Sequence, residues 1–394
     1  MTSSAVQGHC DPQFDEIKRL FQGYLDSGAE LGASITVNVA GHDVVDLYGG
    51  WVDSAHSKPW QQDTIVNVYS TTKEITSFAA LLLVDRGQLD INAPVAQYWP
   101  EFAQNGKSNI LIRHLLSHTS GVAGWQEPVT VDDVLDVPKS TALLAEQAPW
   151  WSPPGTAAGY HSLTYGHLIG EVVRRITGKT LGQFMTDEIC KPLDADFQLG
   201  AREEDYARVS DVVPPPVPAT LPVMQAGSIK YKVFTNPVLD SNGANTRAWR
   251  QAEMGAGNGH SNSQGLARIL SVISLGGKKT RDDDGTGTRT TPFLSPSTVD
   301  LIFQEQFKGT DLVIDLPVRL GVGYGLTSPQ GDTMPDFLPP AGRVCFWGGY
   351  GGSVGIMDLD RKLTITYAMN KMENAGMGNE RSIAYVRAVY RAMS

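Results

Sequence analysis

Only three cysteines occur in 394 residues: Cys10, Cys190 and Cys345. An odd, widely spaced set makes neither a disulfide framework nor a zinc ribbon, and the expectation is three buried, inert thiols. Basic residues are also short, 32 Lys and Arg against 42 Asp and Glu, giving a formal charge of -10. With no basic run, that balance argues against a nucleic-acid partner. No apolar run approaches the ~20 residues of a membrane span, so no membrane partner is expected. The opening, MTSSAVQGHCDPQFDEIKRL, lacks the basic start and apolar stretch of a secretory leader. A cytoplasmic protein is expected, its oligomeric state unread. What is present is apolar residue, 41% of the chain, enough for one large core with an inserted subdomain or for two or three units.

Residues 12–27 space Phe14, Ile17, Leu20, Phe21 and Tyr24 as an amphipathic helix. GASITVNVAGHDVVDLYGGWVD then reads as two strands around an Ala-Gly-His turn. The other end mirrors it: RVCFWGGYGGSVGIMDLDRKLTITYAMNKM gives short strands with an Asp-Arg turn at 360–361, and 379–393 a closing helix. Hairpins near both termini predict one antiparallel sheet built from both ends. Between them, 74–86, 110–118, 140–148, 163–177 and 262–276 read as helices. The stretch 211–250 is proline-rich and reads as an irregular loop over the surface or a lid. KKTRDDDGTGTRTTP at 278–292 reads as a solvated loop whose aspartates lack the alternation of a calcium loop. The sheet domain is placed at 1–75 and 310–394, the mostly helical subdomain at 76–309.

Three motifs invite function and fail on context. GGSVG at 351–355 fits G-x-S-x-G, but Ser353 runs into a strand, not a helix. GAGNGH at 255–260 is not a G-x-G-x-x-G phosphate loop. His114 and His118 stand at i, i+4 without the Glu or third ligand of a zinc helix, so structural histidines are expected and no metal.

Ser70 and Lys73 stand three apart at the head of the apolar run EITSFAALLLV, on one helix face. Free N–H groups and the dipole at a helix start favour an oxyanion, and a lysine held from water loses pKa and can act as a base. A capping serine beside a snorkelling lysine is the bland reading. The company it keeps decides. Ser70-Thr71-Thr72-Lys73, IRHLLSHTSGV at 112–122, PPGTAAGYHSLTYGHLIGEVVRRITGK at 153–179, NGHSNSQGLARIL at 258–270, GVGYGL at 321–326 and FWGGYGGSVG at 346–355 follow in order. Together they resemble the serine β-lactamase and penicillin-binding-protein superfamily, closest to its class C-like branch, the family VIII carboxylesterases.

The resemblance implies an α/β (α+β) fold, with an antiparallel sheet flanked by terminal helices and a mostly helical subdomain, and the site between them. It implies Ser70 as nucleophile, with Lys73 and Tyr160 moving its proton, and the backbone N–H groups of Ser70 and Tyr350 as oxyanion hole. A Lys73 ammonium is expected to lower the Tyr160 pKa. Tyr69, Ser162, Trp347, Gly348 and Gly349 are expected around the substrate, the two glycines letting their strand approach it closely. Ser162 replaces an Asn of the lactamases, and Trp347 a Lys or His. A cation there pairs with a substrate carboxylate; Trp cannot, unless Arg343 or Arg247 reaches the pocket. The expectation is a serine esterase for neutral esters with short to medium apolar acyl groups, needing no cofactor. A β-lactamase or D-amino-acid-peptidase type of amide hydrolase, an acyltransferase, and a non-catalytic binding protein on the same fold are the alternatives.

Overall fold

Two hairpins, one from each end of the chain, meet edge to edge and fix the architecture. The computed structural model describes residues 5–218, 224–281, 289–339 and 342–394. Gly32–Val39 and His42–Gly50 form the first hairpin, its tight turn made by Ala40 and Gly41, both at positive φ. Val354–Asp358 and Leu363–Met369 form the second. Leu363–Met369 pairs with Gly32–Val39, Thr366 opposite Thr36 and Tyr367 opposite Ile35. The full sheet has nine strands: Gln7–Cys10, His42–Gly50, Gly32–Val39, Leu363–Met369, Val354–Asp358, Val344–Gly348, Gly325–Leu326, Pro317–Leu320 and Phe307–Thr310. Each neighbouring pair is antiparallel, as expected.

Alternation along the strands assigns the two faces. Tyr367 meets Tyr385 of the closing helix Glu380–Ala392, ring centroids 5.5 Å apart. The first helix, Asp15–Ser27, joins that layer through Phe21, whose ring meets Tyr385 edge-on at 6.1 Å. The opposite face carries threonines, and helix Ser263–Ser274 satisfies them. The Ser263 hydroxyl lies 2.8 Å from that of Thr36, Thr366 donates to the Ser263 carbonyl at 2.7 Å, and Ser274 meets Thr364 at 2.8 Å. This helix therefore belongs to the sheet layer, although the sequence reading put it within the helical part.

Helix Thr72–Asp85 is buried from Thr72 to Leu83, with helix Thr164–Thr177 on one side and strand Val344–Gly348 on the other. Its second half, Phe78 to Leu83, is apolar all round because it has no solvent face, while the first half buries Lys73, Glu74, Thr76 and Ser77. Among the described residues no helix is long and apolar enough to cross a membrane.

Three expectations need correction. The stretch 211–250 is not wholly irregular: it holds helices Ile229–Thr235 and Arg247–Gln251 and a 3-10 turn, Ser241–Asn245. Ser228, Asp240 and Thr246 each cap one of these starts, short polar signals that the prolines hid. Lys278–Arg281 and Arg289–Pro292 pair as a hairpin where a loop was expected; the three aspartates lie outside the described residues. Cys190 and Cys345 are buried, but Cys10, on the edge strand, is only half-buried.

Phe21 has no exposed surface and bridges the terminal helices. Replacing it with alanine is expected to destabilise the fold by ~3–5 kcal/mol. The guanidinium unfolding midpoint, at unchanged slope, reads this. A loss below ~1 kcal/mol would mean that the terminal helices lie outside the cooperative core.

Candidate active site

Strand Ile65–Asn67 pairs antiparallel with Gly259–Ser261 and parallel with Val209–Ser210, then turns sharply into helix Thr72–Asp85. Ser70 stands in that corner, within the 3-10 turn Tyr69–Thr71. Tyr69 sits at φ 44°, in the left-handed region that a bulky residue enters only when held there. Its hydroxyl donates to the Ser241 carbonyl at 3.1 Å, and its ring stands edge-on to Tyr350 at 5.8 Å. The strand-to-helix turn that a nucleophilic serine needs is thus found at Ser70. Ser353 instead is a brace, its buried hydroxyl 2.9 Å from both the Val68 carbonyl and the Thr71 hydroxyl.

Tyr160, Ser70 and Lys73 converge. The Tyr160 hydroxyl is 2.6 Å from Ser70 Oγ, and Lys73 Nζ is 3.1 Å from it on another side. Lys73 Nζ also donates to the carbonyls of Ser162 and Ala256, each at 2.8 Å, and lies 4.7 Å from the Tyr160 ring centre. It is 2% exposed, and burial pushes its pKa well below the usual lysine value. Tyr160 moves the other way from the expectation. Burial pushes its phenol up to about 12, only partly offset by hydrogen bonds with Ser70 and Trp347. The amine that was to stabilise a phenolate is itself buried and disfavoured as a cation.

The Ala256 carbonyl comes from GAGNGH, which lies against the helix Thr164–Thr177. A Cβ on Gly166 would sit 2.4 Å from the Ala256 N, so only glycine lets the segment close onto Lys73. Ser162 also serves Lys73 through its carbonyl, not through the hydroxyl that stands where lactamases carry Asn. Behind Tyr160 lie two histidines: His118, which the sequence offered only as one of an i, i+4 pair, and His161. His118 accepts from the His161 N–H at 3.1 Å and its ring lies 5.2 Å from that of Tyr160. His161 holds Ser120 and the Gly159 carbonyl, each at 2.6 Å, and burial lowers it to about 4. His114 is spent on the Leu111 N–H at 3.0 Å.

Strand Val344–Gly348 delivers Trp347 beside Tyr160, ring centroids 5.7 Å apart, and the turn after it brings Tyr350 to the mouth. The two glycines make close protein contacts. A Cβ at Gly349 would sit 2.3 Å from the Val68 carbonyl oxygen, and one at Gly348 3.1 Å from that of Gly376. Their bareness seats the strand against the Ser70 turn and against Gly376 and Met377, which line the cleft.

A cleft of about 760 Å³ opens from Ser70. Tyr69, Tyr160, Ser162, Trp347 and Tyr350 line it near the serine; Val233, Phe234, Val238, Leu239, Val313 and Ile314 line it further out. The outer residues have no motif, and only the folded chain gathers them. Neither Arg343 nor Arg247 reaches this cleft: they pair with Asp300 and Glu203. Lys230 does line it, unforeseen, but its amine is 2.6 Å from Asp315.

The whole chain compares closely with known proteins. An esterase/β-lactamase of Mycobacterium tuberculosis, LipL, is 30% identical over 385 residues, covering 93% of this chain and 83% of that protein. The crystal structure of a family VIII carboxylesterase superposes with a TM-score of 0.88 at 34% identity, over 98% of this chain and 99% of that one. EstA of Arthrobacter nitroguajacolicus Rue61a gives 0.85 at 28% identity, over 98% of each chain. The Beta-lactamase family profile matches residues 17–389, and with that span of agreement the chain belongs to the Beta-lactamase family.

Proposed function

We propose that this carboxylesterase cleaves neutral esters with short to medium apolar acyl groups through an acyl-enzyme on Ser70. The Lys73 amine carries the reading. A neutral amine has two N–H bonds and one lone pair. The carbonyls of Ser162 and Ala256 take the two N–H bonds, which leaves the lone pair for the Ser70 hydroxyl at 3.1 Å. Ser70 Oγ attacks the ester carbonyl as its proton passes to Lys73. The backbone N–H groups of Ser70 and Tyr350 hold the oxyanion. Tyr160, un-ionised at neutral pH, gives its proton to the leaving alcohol oxygen and regains one from Lys73. Water, activated by the same pair, releases the acid.

The apolar outer cleft supports the acyl preference, at about 0.8 kcal/mol per methylene buried while room lasts. Among the described residues that line it, the cations are not offered to a carboxylate: Lys230 is paired with Asp315. A carboxylate left without a partner there costs several kcal/mol.

Ser70→Ala is expected to lower kcat by about a thousandfold or more, and a phosphonate ester to label Ser70 and not Ser353. Tyr160→Phe and Lys73→Ala should each lower kcat by ~10²–10⁴, and the double variant by little more than either alone. Additive losses would separate the two groups.

The pH profile distinguishes the proton carriers. Lys73 works deprotonated, so kcat/KM should fall as pH drops through its lowered pKa. It should stay level on the alkaline side, because Tyr160 titrates only near about 12. An alkaline change near pH 10 that disappears in Tyr160→Phe would instead make a phenolate the base.

On substrates, p-nitrophenyl butyrate should be turned over readily and nitrocefin slowly or not at all. Comparable kcat/KM values for the two would remove the argument from Trp347 and favour amide hydrolysis.

A further inference from the structure

Asp311 directly follows strand Phe307–Thr310 and is 2% exposed, yet among the described residues it forms no ion pair. Its carboxylate is occupied by backbone. One oxygen, Oδ1, accepts from the N–H groups of Val313 at 2.8 Å, Ile314 at 3.1 Å and Tyr160 at 3.1 Å. Burial raises its pKa, and these three donors oppose that. The first two bonds are what an aspartate does for its own turn. The third is not local: it crosses 151 positions to the residue whose hydroxyl touches Ser70 Oγ. A parallel backbone bond, Leu312 N–H to the Ala158 carbonyl at 2.8 Å, seals the same seam.

What lies on the Asp311 side of the seam is the acyl wall. Val313 is fully buried and packs with Ala123 and Val233, with the Tyr160 ring and Ile314 against the same cluster. Val313 and Ile314 both line the cleft from Ser70 outward. A charged acceptor makes stronger bonds than a neutral one, and strength matters where a loop must hold still against a catalytic residue.

We propose that Asp311 is a positioning and specificity-determining residue, which ties the Tyr160 backbone to the Val313–Ile314 wall so that proton carrier and acyl-binding surface move as one piece. It touches no reacting atom and acts through Tyr160 and the wall. The inference rests on the role given to Tyr160 above. A loose seam misplaces the phenol and, at the same time, blurs the wall that measures chain length.

The test is a series of p-nitrophenyl esters from acetate to octanoate, with wild type, Asp311→Ala, Asp311→Asn and Tyr160→Phe. Asp311→Ala is expected to lower kcat on the preferred ester by about 10²-fold, the scale of an ångström misplacement. It should also raise KM for the longer esters, flattening the rise of kcat/KM with chain length. Tyr160→Phe should lower kcat equally across the series and leave that rise intact; no loss in Tyr160→Phe defeats the reading of Tyr160, not the seam. If Asp311→Ala does not fold, Asp311→Glu, which displaces the carboxylate by one methylene, reads the same flattening. Asp311→Asn keeps the shape and one acceptor oxygen, so it should retain the chain-length dependence within a few-fold of wild-type rate. Its weaker bonds should raise amide hydrogen exchange in 158–162 and 311–316 together. A uniform loss over all esters in Asp311→Ala or Asp311→Glu overturns the proposal. So does faster exchange in Asp311→Asn confined to one segment, or in neither.

Discussion

An amine enclosed by protein on all sides cannot keep the hydration that stabilises its charge, and Lys73 is enclosed in this way. Two carbonyls take its N–H bonds, one from the turn at Ser162 and one from the glycine-rich segment at Ala256. Those contacts fix where the amine points. They also require that both segments close over the helix carrying it. Gly166 and Gly255 permit that approach, since a Cβ on Gly255 would lie 2.4 Å from Leu181. Much of the helical side of the molecule is thus arranged around one buried nitrogen.

The sheet side answers a second requirement, that strand Val344–Gly348 and the turn after it lie tight against the Ser70 corner. Gly349 presses on Val68, and Ser353 ties the same carbonyl and the Thr71 hydroxyl. These contacts join the end of the chain to its first quarter. They depend on the strand pairing that begins where Leu363–Met369 meets Gly32–Val39. A change in register far from Ser70 would move the turn that holds Tyr350.

Much of this was legible in the residues. Alternation and turn residues disclosed both hairpins, and the step from Ser70 to Lys73 before an apolar helix marked the corner where the two side chains meet Tyr160. What could not be read is what depends on three-dimensional gathering. Asp311 looks like any turn aspartate until Tyr160 arrives beside it. Phe234, Val238, Val313 and Ile314 are scattered apolar residues with no shared spacing. The direction of the Tyr160 shift was misread for a related reason: a neighbour's charge can be guessed from a motif, but the burial of both partners cannot. The helices in 211–250 were obscured because proline dominates the eye while single capping residues do the local work.

The outer wall of the cleft has one more consequence. Phe234 is 39% exposed and Val238 69%. Their contribution to the core is small, so exchanging them spends little of the margin between folded and unfolded chain. Lys73 and its neighbours on the buried helix Thr72–Asp85 have no such freedom. Selection acting on this protein therefore meets two materials: a machine that tolerates almost no change, and a rim that can be rewritten at low thermodynamic risk. Divergence in which esters are accepted is expected to accumulate at the rim first, while the chemistry stays fixed beneath it.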